Sequence, residues 1–177
     1  LLDLAAGIGI IFGANLGTTT GAWLVAGFGI KVKISAYAMP LLVFGVMMVL
    51  HKSKNIQGVG YILTGIGLLF LGIHYMKEGF ELFKNSFDLS QYAMSGAQGV
   101  LVFVALGVLA TIIIQSSDAT MVLVITALSV QQISYENALS LAIGANIGTT
   151  VTAILGSLSA NIKGKRLSGA HFLFNIF

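Results

Sequence analysis

Cysteine is absent from the 177 residues, which excludes disulfides, cysteine-based metal sites and thiol catalysis. Charge is scarce as well. Only 8% of the residues are Asp, Glu, Lys or Arg, against roughly 25% in soluble domains, and so little polar surface could not keep a soluble fold dissolved. The alternation of polar and apolar residues that marks a transmembrane strand is missing, as the run Pro40-Leu41-Leu42-Val43-Phe44-Gly45-Val46-Met47-Met48-Val49-Leu50 shows. There is no basic stripe either. The nine Lys and Arg residues sit in short connectors, so a net charge of +3 does not describe a nucleic-acid surface. No Ser-His-Asp spacing, metal-ligand cluster or nucleotide-type glycine loop is present. The chain is therefore expected not to be an enzyme and to need no cofactor.

What the sequence does hold is apolar length and glycine. Hydrophobic residues make up 56% and glycine accounts for 22 positions, well above the usual ~7%, and the mean hydropathy is +0.95. These features predict an all-α integral membrane protein, since glycine allows close approach of membrane helices. Ile34 to Leu50 and Gly58 to Met76 are apolar runs of spanning length. His51-Lys52-Ser53-Lys54-Asn55 reads as a loop between them, and Lys77 to Ser90 as an amphipathic interfacial segment. Lys31/Lys33 and Lys52/Lys54 flank one span, which leaves membrane orientation open. Asn161 to Arg166 reads as a connector before a last helix. Leu1-Leu2-Asp3-Leu4 has neither an initiator Met nor a signal-peptide start, and Asn175-Ile176-Phe177 stops inside an apolar run. The chain is thus expected to be a piece of a longer protein.

A seven-residue pattern occurs twice: Gly13-Ala14-Asn15-Leu16-Gly17-Thr18-Thr19 and Gly144-Ala145-Asn146-Ile147-Gly148-Thr149-Thr150. The offset is 146 − 15 = 131, and residues 13–24 and 144–155 match at eight of twelve positions. Glycine, asparagine and threonine are poor helix formers, so the pattern is expected to open a helix and present polar groups. Repeated Gly-interrupted apolar segments point to the binding site of a secondary transporter. A third polar break, Gln115-Ser116-Ser117-Asp118, separates two short apolar arms, Val100 to Ile114 and Ala119 to Val130. It predicts either a re-entrant hairpin or a broken helix. At the same offset its counterpart would fall at 115 − 131 = −16, before the first residue. These landmarks divide a single transmembrane transport domain (1–177) into a remainder of repeat 1 (1–50), a connecting span and interfacial segment (51–98) and repeat 2 (99–177).

Here the sequence resembles the sodium/phosphate cotransporter family, the type II cotransporters of animals and their bacterial relatives. That family repeats a Gln-Ser-Ser-Ser element followed by a Gly-(Ala/Ser)-Asn-Ile-Gly-Thr-Thr element. In this chain Gln115-Ser116-Ser117 precedes the second motif by 144 − 115 = 29 positions, and His171-Phe172-Leu173-Phe174-Asn175 looks like the family's His-x-(Leu/Phe)-Phe-Asn helix start. The resemblance implies an inverted-repeat helical fold and sodium-coupled symport of inorganic phosphate by alternating access. It implies phosphate contacts from Ser116, Ser117, Asn146, Thr149 and Thr150, with Asn15, Thr18 and Thr19 from the other half. Gln115, Ser117, Asp118, Asn146 and Thr149 are the candidate sodium ligands. Sodium would be the coupling ion, the bilayer the environment and a bacterial inner membrane the location; a homo-oligomer is left open.

The chemistry suits that cargo. No Lys or Arg lies in a motif, so an anion would be held by hydroxyls, amides and the N–H groups of helix N-termini. Carbonyl and side-chain oxygens would serve sodium. Asp118 departs from the pattern, where a third serine is usual, and is the only charge from Leu89 to Tyr135. A charge at a helix centre costs roughly 2.5–3.5 kcal/mol, which points to a cation ligand or coupling residue, a protonated acid, or a side chain in a water-filled cavity. Simpler roles stand beside these. The Gly-x-x-x-Gly spacings are also helix-packing motifs, Thr111, Thr120 and Thr126 read as packing residues, and His171 with Asn175 as a structural pair. Two other functions remain open: a proton-coupled transporter of another small anion, and a non-transporting membrane scaffold subunit.

Overall fold

The computed structural model describes residues 3–29, 34–84 and 93–176, and among them every element is helical. Seven α-helices follow in order: α1 (Leu4–Leu24), continued by a π-helical turn (Val25–Gly29), α2 (Ile34–Val49), α3 (Lys54–Lys84), α4 (Gly96–Ile114), α5 (Ser117–Ser129), α6 (Tyr135–Ser157) and α7 (Ile162–Ile176). Four are long and apolar enough to cross a membrane, over Leu4–Gly27, Lys54–Leu82, Gly96–Ile114 and Tyr135–Ser157. Large apolar side chains such as Leu50, Leu101 and Ile113 are exposed. On a soluble protein such a surface would be an aggregation hazard; in a bilayer it faces lipid.

The residues gather into two compact units, Leu24–Asp88 and a larger one joining Leu1–Trp23 to Leu89–Phe177. The smaller unit is the hairpin of α2 and α3. A Cβ added to Gly60 would lie 2.6 Å from Val49 N and 2.8 Å from the Gly45 carbonyl, so the two backbones touch there. The turn is tied by Gln57 Nε2 donating to the His51 carbonyl at 2.8 Å and Ser53 N to His51 Nδ1 at 3.0 Å. The expected loop is therefore shorter: Lys54 already begins α3. Lys77 to Lys84 belongs to the same helix rather than to a separate interfacial element, and residues 85–90 of that expectation lie outside the described ones, as do Lys31 and Lys33.

In the larger unit α4 and α6 form the core contact. A Cβ on Gly144 would fall on the Val104 carbonyl oxygen, and one on Gly107 on the Leu141 carbonyl oxygen. One on Gly148 would lie 2.7 Å from Thr111 Cβ and 2.9 Å from the Val108 carbonyl. The partners rise together along both helices, so α4 and α6 run parallel, and α5 is the return stroke. The polar break is thus a helical hairpin. Its first arm begins at Gly96, earlier than Val100, and has 19 residues, enough to cross a membrane rather than a short arm.

α1 and α7 also run parallel. Phe12 stacks on Phe174 with ring centroids 4.3 Å apart, and a Cβ on Gly7 would meet Leu167 Cδ1 at 3.0 Å. Lys163, Lys165 and Arg166 lie in α7 rather than in a connector, because Asn161 Oδ1 accepts from Gly164 N at 3.0 Å and starts the helix there.

Candidate functional site at the hairpin tip

The reversal between α4 and α5 is made by two residues. Gln115 ends α4 in the left-handed conformation, φ 59° and ψ 22°, and its N–H donates to the Thr111 carbonyl at 2.7 Å. A residue with a Cβ pays roughly 1–2 kcal/mol for that conformation, and such outliers gather at functional sites. Glycine, the usual residue there, is replaced by one carrying an amide. Ser116 is extended (φ −150°, ψ 115°) and caps α5, its Oγ accepting from Ala119 N at 3.2 Å. Its hydroxyl proton remains to donate elsewhere. Ser117 and Asp118 form the first turn of α5, where backbone N–H groups have no intrahelical carbonyl to reach. The tip therefore concentrates an amide, two hydroxyls, free N–H groups, the positive end of a helix dipole and one carboxylate. Gln115 and Asp118 are exposed, and Ser116 and Ser117 half-buried.

Both seven-residue motifs run inside continuous helices and do not open them. The reason is visible in the threonines. Thr18 and Thr19 Oγ1 donate to the Ala14 and Asn15 carbonyls, each at 3.2 Å. Thr149 Oγ1 donates to the Ala145 carbonyl at 3.0 Å and Thr150 Oγ1 to the Ile147 carbonyl at 2.6 Å. These hydroxyls satisfy themselves on their own helix, whereas an opened helix in hydrocarbon leaves backbone groups unpaired at several kcal/mol each.

The structure brings Gln115, Ser116, Ser117 and Asp118 together at the tip. Thr149 and Thr150 lie on α6, just beyond Gly148, which packs beside Thr111 one turn before the tip. Asn146 is exposed and, at 100° per residue, sits about 200° round α6 from Gly144, away from the face that meets α4. Asn15, Thr18 and Thr19 lie on α1, where Asn15 Nδ2 is buried without a hydrogen-bond partner. Among the described residues no hydrogen bond links either motif to the tip. Two surface clefts of the same unit lie elsewhere, one of about 420 Å³ beside Asp3 and Lys163, the other of about 250 Å³ beside Ser168 and His171. No group of three or more His, Cys, Asp or Glu residues arranged for a metal ion occurs among the described residues.

Thr111 and Thr120 are buried as packing residues are, and they also form a hydrogen-bonded link that sequence reasoning missed. Thr111 Oγ1 donates to Thr120 Oγ1 at 3.1 Å across the reversal, and Thr120 Oγ1 donates to the Ser116 carbonyl at 2.9 Å. Their spacing carries the signal: each lies four residues outside the Gln115-Ser116 pair.

Apolar helices of spanning length, a helical hairpin with a polar tip and a repeated Gly-Asn-Thr pattern define a membrane protein of the transporter class. The model of the Na+/Pi-cotransporter family matches residues 1–78 and 87–174, and the chain belongs to that family. No curated protein and no solved structure matches it.

Proposed function

We propose that this chain carries the core of a sodium-coupled symporter of inorganic phosphate, working by alternating access in a cell membrane, most simply a bacterial inner membrane. The observation that carries the reading is the tip. An amide held in a left-handed turn and a serine-rich helix N-terminus meet there without any basic side chain. Such a site favours an anion through hydroxyl and N–H donors and the helix dipole. It also offers oxygen to a small cation, whose charge would replace the missing Lys or Arg. Phosphate falls to Ser116 and Ser117, with Asn146, Thr149 and Thr150 on α6 and Asn15, Thr18 and Thr19 on α1. Sodium falls to Gln115, Ser117, Asp118, Asn146 and Thr149. The sodium gradient would drive accumulation, and each net positive charge carried inward with the phosphate anion down 100 mV would add about 2.3 kcal/mol.

Phosphate uptake into liposomes holding the full-length protein tests this. Uptake of labelled phosphate that needs an inward sodium gradient is expected. Sodium-independent uptake driven by protons would move the reading to a proton-coupled transporter, with Asp118 as the carrier group. Absence of uptake of any small anion would leave a scaffold subunit, for which the Gly107–Gly144 contact would be the main asset.

A further inference from the structure

Most threonines described here bond to a carbonyl of their own helix. Thr126, buried to the same degree as Thr111 at 1% exposure, donates to the Val122 carbonyl at 2.7 Å. Thr111 does otherwise. Its Oγ1 reaches out of α4 to Thr120 Oγ1, nine positions along the chain in α5, at 3.1 Å. Thr120, with 0% exposure, passes the link on, because its Oγ1 and its N–H both donate to the Ser116 carbonyl, at 2.9 and 3.1 Å. On the other side the Thr111 carbonyl takes the Gln115 N–H at 2.7 Å. Both residues of the reversal are therefore held by this threonine pair, and the pair is pressed from behind by Gly148 of the second motif, where an added Cβ would stand 2.7 Å from Thr111 Cβ.

We propose that Thr111 and Thr120 are positioning residues that fix the Gln115–Ser116 reversal in its substrate-binding geometry and tie it to α6 through Gly148. The proposal rests on the reading of the tip as the phosphate and sodium site. The pair touches no cargo itself. It sets the direction of the free Ser116 hydroxyl and the N–H groups that open α5 by anchoring the carbonyl between them. In a water-excluded setting such a hydroxyl pair is stronger than in water, and removing one member leaves the other buried without its partner.

The test compares Thr111→Val and Thr120→Val with the hydroxyl-keeping Thr111→Ser and Thr120→Ser, and with Thr126→Val, in full-length protein in liposomes. Each relay valine variant should raise the phosphate KM about three- to tenfold while kcat changes less, the scale of one lost hydroxyl bond. The serine variants should restore KM. The double valine variant should be no worse than the worse single, because the bonds act in series. Thr126→Val should leave KM unchanged. A second readout does not depend on transport. These 177 residues hold no cysteine, so labelling of Ser117→Cys, measured against the same full-length protein without that substitution, should quicken severalfold with Thr120→Val but not with Thr126→Val. Unchanged KM and labelling in the relay variants, or equal shifts with Thr126→Val, would overturn the proposal. If the unsubstituted protein takes up no phosphate, the reading of the tip fails, and the labelling comparison alone decides the relay.

Discussion

The two copies of the seven-residue motif share side chains but not surroundings. In the second copy Gly144 and Gly148 lie against α4, so closely that a methyl group at either would strike backbone or Thr111. In the first, Gly13 and Gly17 have nothing within 4 Å of an added Cβ, and Gly21, one turn on, is equally open. The threonines ignore this difference: Thr18 and Thr149 bond to the carbonyl four residues back in both settings. The motif thus separates into two parts. Its glycines form a seat whose use depends on what packs there, and the hairpin α4–α5 is what occupies the seat of α6. Its threonines keep the helix intact in either case. A feature shared by both copies belongs to the helix; one found only in the second belongs to the docked hairpin and its tip.

The largest effect expected from this comparison is at the glycines. Gly144→Leu should destabilise the protein by about 3 kcal/mol or more, since overpacking costs 1–3 kcal/mol and the obstacle here is a carbonyl oxygen of α4. Gly13→Leu should leave the melting temperature nearly unchanged, and Gly13→Ala should raise stability by roughly 0.5–1 kcal/mol, the ordinary gain of replacing a helical glycine. Thermal melting of the three variants in detergent checks both arms. Equal losses at Gly13 and Gly144 would show that the first seat is filled too, and would end the distinction.

Much of this was legible beforehand, for physical reasons. Low charge and unbroken apolar runs leave few alternatives to membrane helices, and Gln115-Ser116 showed as a break because polar residues interrupt an apolar run there. Whether that break was a hairpin or a kink was not legible: the direction of α5 follows from the parallel pairing of Gly107 with Gly144 and of Thr111 with Gly148, which are contacts 37 positions apart (144 − 107 and 148 − 111). The expectation that the motif opens its helix failed because propensities measured in water underrate back-bonded threonines and packed glycines in a dry setting. α7 starts among Lys163, Lys165 and Arg166, where basic residues suggest a loop, because Asn161 caps Gly164 N. Thr111 and Thr120 read as packing because their equal spacing about Gln115-Ser116 signals a hydroxyl pair only if the break is a hairpin, and the sequence leaves that open.

The tip itself supplies the next two effects, each confined to the side that has a docked hairpin. Gln115→Gly should relieve the left-handed strain and stabilise the tip by about 1 kcal/mol, yet cut phosphate uptake at least tenfold, because the amide is lost. Melting and uptake measured on the same preparation would then move in opposite directions. If both rise, Gln115 is a turn residue only. Ser116→Ala removes the cap on Ala119 N and should cost about 1 kcal/mol. Ser116→Gly should cost only a few tenths through the cap, while lowering uptake as much as alanine does. A glycine variant that transports normally would restrict Ser116 to capping.

Asp118 carries the smallest stability effect and the sharpest question. It stands in the first turn of α5, where a carboxylate interacts with the helix dipole by typically 0.3–1 kcal/mol, so the fold alone gives a reason for an acid at this position. If the dipole is the whole account, Asp118→Asn and Asp118→Ser should each lose less than about 1 kcal/mol on melting and transport with unchanged sodium dependence. If Asp118 is a cation ligand, both variants should melt in the same range but show a sodium KM raised about tenfold, since one missing charged ligand is expected to exceed one neutral hydrogen bond. Asp118→Glu separates the two further. It keeps the charge near the helix end and so preserves the dipole interaction, but moves the carboxylate by one methylene, which a ligand role would not tolerate and a dipole role would. Sodium titration of uptake across the three variants, alongside melting, therefore assigns the carboxylate to the cargo or to the helix.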